Sequence, residues 1–316
     1  MTVNAQNGNA MLRVIRSSLL VGAFALMSAT SFAQQPGMGM GMGPVAQPIP
    51  PDGTRVLRDI AYVSGGHENQ VLDLYLPEAG GNLPLIIYIH GGAWLTGSKN
   101  QLPAIGYLER GYAVASVEYR FSQHAIFPAQ IEDVKAAVRW LRAHADDYGI
   151  DADRFAAWGQ SAGAHLSVLL GVTDGVTKFE VGENLDVSSA VQVVIDNYGP
   201  TDFAQMDAHR LPDGQEHNPA DSPESRLVGG ALQENLGAVA QANPITYVSE
   251  GDAPMLVVHG DTDPLVPHHQ SQILVAALEA VNVPVEFYTV AGGGHGGFTD
   301  PRIGELIEVT LERYLK

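Results

Sequence analysis

Trp158-Gly159-Gln160-Ser161-Ala162-Gly163 joins a short apolar run ending at Trp158 to a helical stretch over 162–171. A serine set in so sharp a strand-to-helix turn has its hydroxyl lifted clear of its own backbone, and such a turn leaves no room for side chains on the flanking positions. Gly159 and Gly163 meet that demand. The helix that follows aims free N–H groups and the positive end of its dipole at the space in front of the serine, where negative charge can be stabilised. The G-x-S-x-G spacing thus marks Ser161 as a candidate nucleophile and predicts a strand before it and a helix after it.

Working outward from this turn, continuous apolar runs at 84–89, 112–117, 154–158, 190–195, 254–258 and 285–290 read as buried parallel strands. Residues 55–63 and 70–76 alternate, with Gly65-Gly66 between them, and read as two antiparallel edge strands. Helical periods separate the runs. The clearest covers 129–145, where Ile131, Val134, Val138 and Leu141 recur at three and four residues and Pro128 stands at the start. Residues 270–281 and 303–314 repeat the pattern. Strands alternating with helices predict an α/β fold, an about eight-stranded mostly parallel sheet with helices on both faces. In such sheets the chemistry collects in loops at the carboxyl ends of the strands.

Two of those loops carry histidine beside glycine or aspartate. His259-Gly260-Asp261-Thr262-Asp263-Pro264 follows the run at 254–258, and Gly292-Gly293-Gly294-His295-Gly296-Gly297 follows 285–290. A nucleophilic serine needs a base, and the base needs an acid that fixes its tautomer, in the chain order serine, acid, histidine for this kind of turn. His295 is therefore assigned as the base and Asp263 as the acid. Asp261 sits where a turn-capping aspartate is expected, and Asp196, after the preceding strand, is the competing acid. His90-Gly91-Gly92-Ala93-Trp94 follows the run at 84–89, and its glycines let the backbone turn N–H groups outward. With the known geometry of such a serine turn, the N–H groups of Gly92, Ala93 and Ala162 are the candidate oxyanion donors and His90 the brace of their loop. His165 is expected behind the site, and His268 and His269 on a helix facing solvent. His209, Asp213 and His217 share one polar loop, but no helix or strand fixes their spacing, so no metal site is read there.

The chain has 316 residues, 45% hydrophobic and 16% charged, with 35 acidic against 17 basic residues and a formal charge of −18. Such a charge disfavours nucleic acid and polyanionic partners. The absence of cysteine excludes disulfides, a thiol nucleophile and a lipid-anchoring cysteine. Residues 1–33 read as a signal peptide: Arg13 and Arg16 precede an apolar core at 19–27, and Ser31-Phe32-Ala33 forms the cleavage site. The core is too short to span a bilayer. The expectation is an exported protein, periplasmic or secreted, with no membrane insertion after cleavage. Residues 34–54 read as a disordered Gly-, Met- and Pro-rich leader, and 55–316 as one folded domain.

Together these stretches resemble the α/β-hydrolase superfamily. Within it, the chain is similar to bacterial carbohydrate acetyl and feruloyl esterases near the hormone-sensitive-lipase-like branch. LDLYLP (72–77), HGGAW (90–94), EYRFS (118–122), GQSAGAHL (159–166), YGPTDF (198–203), SPESRLVGG (222–230) and HGDTDPLVP (259–267) carry the resemblance. One departure is Ala93, where the lipase-like branch has a third glycine. The resemblance implies a serine esterase with the triad Ser161, Asp263 and His295, no metal or organic cofactor, and a small-molecule or oligosaccharide ester as substrate. Acetyl and other short acyl groups are expected first. Feruloyl or aryl esters, amide or peptide bonds, and a non-catalytic binding role are the alternatives. The insertion at about 200–252 should form a small helical cap, with Trp94 and the polar loop 205–222 as candidate substrate walls. Arg120, Asp133 and Arg139 are expected to form a structural charge network.

Overall fold

A computed structural model of the chain describes residues 46–78 and 80–316. The signal-peptide and cleavage-site readings, and the leader reading as far as residue 45, lie outside the described residues. Residues 46–54 carry neither helix nor strand.

Eight strands form one sheet in the order β1-β2-β4-β3-β5-β6-β7-β8. They are β1 (Arg55–Ala61), β2 (Val71–Leu76), β3 (Leu83–Ile89), β4 (Ala113–Val117), β5 (Ile150–Gln160), β6 (Val193–Asn197), β7 (Met255–Gly260) and β8 (Val285–Val290). From β4 through β8 all pairings are parallel, whereas β2 pairs antiparallel with both β1 and β4. β2 is therefore an interior strand, not the edge strand its alternation suggested. Its polar residue, Asp73, is fully buried and ion-paired to Arg58 (2.9 Å) and Lys99 (2.8 Å). An alternating pattern thus concealed a two-sided core strand with one neutralised charge.

The helices are α1 (Ala129–Ala143), α2 (Ala145–Tyr148), α3 (Ala162–Val172), α4 (Met206–His209), α5 (Pro223–Val228), α6 (Leu236–Ala242), α7 (His269–Ala280) and α8 (Pro301–Leu315). They cover both faces because the strands alternate in what they present. Leu85, Ile87 and Ile89 of β3 join one core with Ile131 and Val138 of α1, Leu166 of α3 and Leu274 of α7. Ile86 and Tyr88 join the other, with Leu108 of the 3-10 turn Pro103–Arg110 and Ile307 and Leu311 of α8. Period two along the strand meets period 3.6 along each helix.

The insertion between β6 and β7 contains α4, α5 and α6, and the loop read as plain polar chain includes the turn α4. Leu227, Leu232 and Val239 tie this cap to the α1–α3 face of the core, and Leu227 O accepts from Phe127 N at 2.8 Å. Of the expected charge network, Arg120 and Asp133 pair through several hydrogen bonds, the shortest 2.7 Å. Arg139 does not join them. It reaches Glu180 and the Val181 carbonyl instead, anchoring the loop after α3. Among the described residues no helix is long and apolar enough to cross a membrane.

Candidate active site

Ser161 stands between β5 and α3 with φ 53° and ψ −122°. The flanking glycines are required by contact. A Cβ on Gly163 would lie 2.1 Å from the Ile89 carbonyl oxygen, and one on Gly159 2.2 Å from the Gly163 carbonyl oxygen. The strained turn is pinned by Ser161 N donating to Asn197 O (2.9 Å) and His165 N to Ser161 O (3.0 Å).

The structure brings three residues from distant loops into one hydrogen-bonded line. His295 Nε2 lies 2.9 Å from Ser161 Oγ, and His295 Nδ1 lies 2.7 Å from Asp263 Oδ2. An ionised carboxylate only accepts, so Nδ1 carries the hydrogen and Nε2 is left to accept from the serine hydroxyl. Asp263 is 2% exposed. Burial acts to raise its pKa, but hydrogen bonds from His259 and His295, the charge of His295 and the Val266 N–H outweigh it, holding the carboxyl well below the usual carboxylate range. Leu265 N (2.8 Å) and Val266 N (2.9 Å) donate to Oδ1.

His259, quoted within the acid's loop but given no role from sequence, shares this carboxylate. Its Nε2 lies 3.2 Å from Asp263 Oδ2 and 3.0 Å from Val266 O. The carbonyl can only accept, so Nε2 carries the hydrogen and Nδ1 accepts from the Ser271 hydroxyl at 2.7 Å. The signal available in the sequence was its place four residues before Asp263, at the end of the same strand. Tyr198 was also missed. It sits at φ 50°, with its ring edge-on to His295 at 4.7 Å and its N–H donating to Val258 O at 2.8 Å. Burial, then the charge of Asp263, pushes its hydroxyl up to about 12.

Asp196 belongs to β6 itself rather than to a loop after it, in register with Gly159. Its Oδ1 accepts from Gly199 N at 2.8 Å and its Oδ2 has no partner among the described residues. His295 Nδ1 bonds to Asp263 instead. Asp261 accepts from Gly292 N at 2.6 Å and so ties the acid's loop to the base's loop.

Gly92, Ala93 and Trp94 all have positive φ, 116°, 55° and 55°. Leu95 N and Thr96 N close the turn on Gly92 O. The N–H groups of Gly92, Ala93 and Ala162 donate to no acceptor among the described residues. His90 braces the loop as expected, 2.7 Å from Gly91 O and 2.9 Å from Glu118 Oε1, with its ring stacked on Tyr119. Trp94 is a correction. Rather than forming a substrate wall, it is 1% exposed, edge-on to His165 at 5.2 Å and Phe203 at 5.5 Å. The left-handed backbone turns the indole inward, where it clamps the loop to α3.

His209 stacks on His269 at 3.4 Å, while buried His217 faces Glu224 at 3.1 Å. His268 is half-buried against Phe287 and Thr289, not turned to solvent. Among the described residues no group of three or more acidic or histidine side chains is placed to hold a metal ion.

Sheet order, strained serine turn, histidine–aspartate pair and the N–H groups left without an acceptor among the described residues define an α/β-hydrolase with a Ser-His-Asp triad geometry. The chain belongs to the BD-FAE family, whose profile matches residues 72–278. A bifunctional GH43-CE protein of Bacteroides eggerthii is similar in structure, with a TM-score of 0.76 and 35% identity over 83% of this chain and 38% of that one. A truncated carbohydrate esterase from gut microbiota has a TM-score of 0.75 and 32% identity over 84% of this chain and 99% of that one. Esterase LipQ of Mycobacterium tuberculosis is 33% identical over 76% of this chain and 56% of its own. The chain spans about half the length of the curated relatives it matches.

Proposed function

We propose that the protein is a serine carboxylic-ester hydrolase acting on short-chain acyl esters, with acetyl esters of carbohydrates as the preferred class. The observation that carries the reading is the line Ser161 Oγ, His295 Nε2, His295 Nδ1, Asp263 Oδ2, with contacts of 2.9 and 2.7 Å. In this mechanism Ser161 Oγ attacks the ester carbonyl carbon as its proton passes to His295 Nε2. The carbonyl oxygen becomes the oxyanion, facing the N–H groups of Gly92, Ala93 and Ala162. Collapse expels the alcohol, which takes the proton from His295, and leaves an acyl-Ser161 ester. Water, deprotonated by the same nitrogen, releases the acid and restores the serine.

The cap supports the short-acyl reading. Its helices α4, α5 and α6 are single or double turns, which offer little surface to bury a fatty chain, and each buried methylene is worth only about 0.8 kcal/mol. The likeness to structures described as carbohydrate esterases supports the alcohol side. Export to the periplasm or beyond, proposed on the N-terminal pattern, is consistent with such substrates. The test is hydrolysis of 4-nitrophenyl acetate beside 4-nitroacetanilide, followed by an acyl-length series, acetylated xylan and methyl ferulate. The ester should be cleaved without the anilide, with the rate falling as the chain lengthens. Preference for acyl chains of about ten carbons or more would contradict the short-acyl reading.

A further inference from the structure

A cavity of about 330 Å³ lies between the oxyanion loop and the cap. Leu95, Ser122 and Gln123 line one side, and Ser225, Arg226 and Gly229 the other. Its lining is tied to the Gly92–Trp94 loop by hydrogen bonds. Leu95 N donates to Gly92 O (3.0 Å), Ser122 N to Trp94 O (2.8 Å), and Gln123 Nε2 to Leu95 O (2.9 Å). Its volume is at the lower end of the range for small-ligand sites, about 300–1,000 Å³.

Its chemistry is unusual for this chain. Among the described residues, Arg226 and Arg313 are the two basic side chains without an ion pair, side-chain hydrogen bond or ring contact, although acids outnumber bases two to one. Arg226 lines this cavity and no acidic residue does. The neighbouring acids are Asp221, which is exposed, and Glu224, which is buried and faces His217. Arg226 is exposed at the cavity, whereas Ser225 beside it is fully buried, with its hydroxyl out of a ligand's reach and without a partner among the described residues. A guanidinium with its fork unused binds a carboxylate bidentately, and the amide of Gln123, on the opposite side of the cavity, suits a hydroxyl of a sugar ring.

We propose that this cavity is a subsite for the carboxylate of a single uronic-acid substituent on an acylated oligosaccharide, with Arg226 as its counter-charge. The inference rests on the ester-hydrolase reading and narrows its substrate class. One carboxylate at one arginine is compatible with a formal charge of −18, whereas a polyuronide brings many charges against the same acidic surface.

Binding and turnover test it separately. In Ser161→Ala protein, calorimetric titration with a glucuronic-acid-substituted xylo-oligosaccharide should show about tenfold tighter binding than the neutral oligosaccharide of equal length, the size of one charge-assisted contact. Arg226→Gln should abolish the difference and Arg226→Lys should retain part of it, with unchanged Tm showing that both variants fold. With acetylated forms of the two sugars, the acidic-to-neutral ratio of kcat/KM should fall about tenfold in Arg226→Gln. Equal wild-type binding of both sugars, or a preference that survives Arg226→Gln, would overturn the subsite. Dependence on Arg226 found only with a nitrophenyl hemisuccinate would move the carboxylate to the acyl side and also overturn it. Loss of 4-nitrophenyl acetate hydrolysis in the wild type would refute the esterase reading alone, since titration still decides the subsite.

Discussion

Asp263 and Asp196 are carboxylates on or just beyond neighbouring strands, both buried, yet their surroundings drive them in opposite directions. Asp263 receives two backbone N–H groups and two imidazoles and is held below the usual carboxylate range. Asp196 receives one N–H, from Gly199, and burial pushes it up to about 7. Donor count, rather than burial or proximity to the serine turn, separates an acid that can orient a histidine from one that is merely enclosed. The carboxylate within hydrogen-bonding distance of His295 Nδ1, at 2.7 Å, is that of Asp263.

The largest effect expected from breaking this contrast is at Asp263. Asp263→Asn removes the charge and permits the wrong imidazole tautomer, so kcat on 4-nitrophenyl acetate should fall by about 10⁴. A loss below tenfold would assign the acid elsewhere. Replacing His259 with phenylalanine removes one donor to Asp263 while leaving Leu265 N, Val266 N and His295 in place, and kcat/KM should fall about tenfold. His259→Gln, which restores an N–H near the Nε2 position, should recover part of that loss. Equal loss in both variants would show that the ring matters for packing and not for its hydrogen bond.

At Asp196 the expected signature is in stability, with activity changing by less than about threefold. Its folded pKa of about 7 lies above the unfolded value of about 3.9. Between those values the unfolded chain binds fewer protons, so this residue makes stability fall as pH rises, with the full penalty above 7. Asp263 acts in the opposite sense. Its depressed pKa contributes stability above the unfolded value and loses it only in acid, as pH falls toward the folded value. Asp196→Asn should therefore gain Tm relative to wild type between pH 5 and pH 8. A Tm difference that does not grow over that interval would contradict the enclosed, hard-to-ionise carboxylate.

The serine turn and the loops bearing Asp263 and His295 were legible because each is fixed by local demands that leave marks in sequence. Gly163 is glycine because the Ile89 carbonyl fills the space a Cβ would occupy, and apolar runs of strand length precede each functional loop. What stayed hidden depended on tertiary placement. Trp94 faces inward because both it and Ala93 adopt φ 55°, a conformation that neither residue announces. Asp73 made β2 look like an edge because its partners Arg58 and Lys99 come from other segments. His259 resembles any histidine ending a buried strand until the return of the Asp263 loop brings its Nε2 within 3.2 Å of the carboxylate. Arg226 was not singled out, since only the folded cap shows it lining a cavity without an acid.

The most direct test of the triad is the rate at which a fluorophosphonate labels the serine in wild type, Asp263→Asn, Asp196→Asn and Ser161→Ala, read by mass spectrometry of the peptide containing Ser161. The account predicts labelling at Ser161 in wild type and Asp196→Asn at similar rates, slowing by about 10³ or more in Asp263→Asn, and none in Ser161→Ala. Labelling that slows in Asp196→Asn but not in Asp263→Asn, or that falls on another residue in active enzyme, would contradict it.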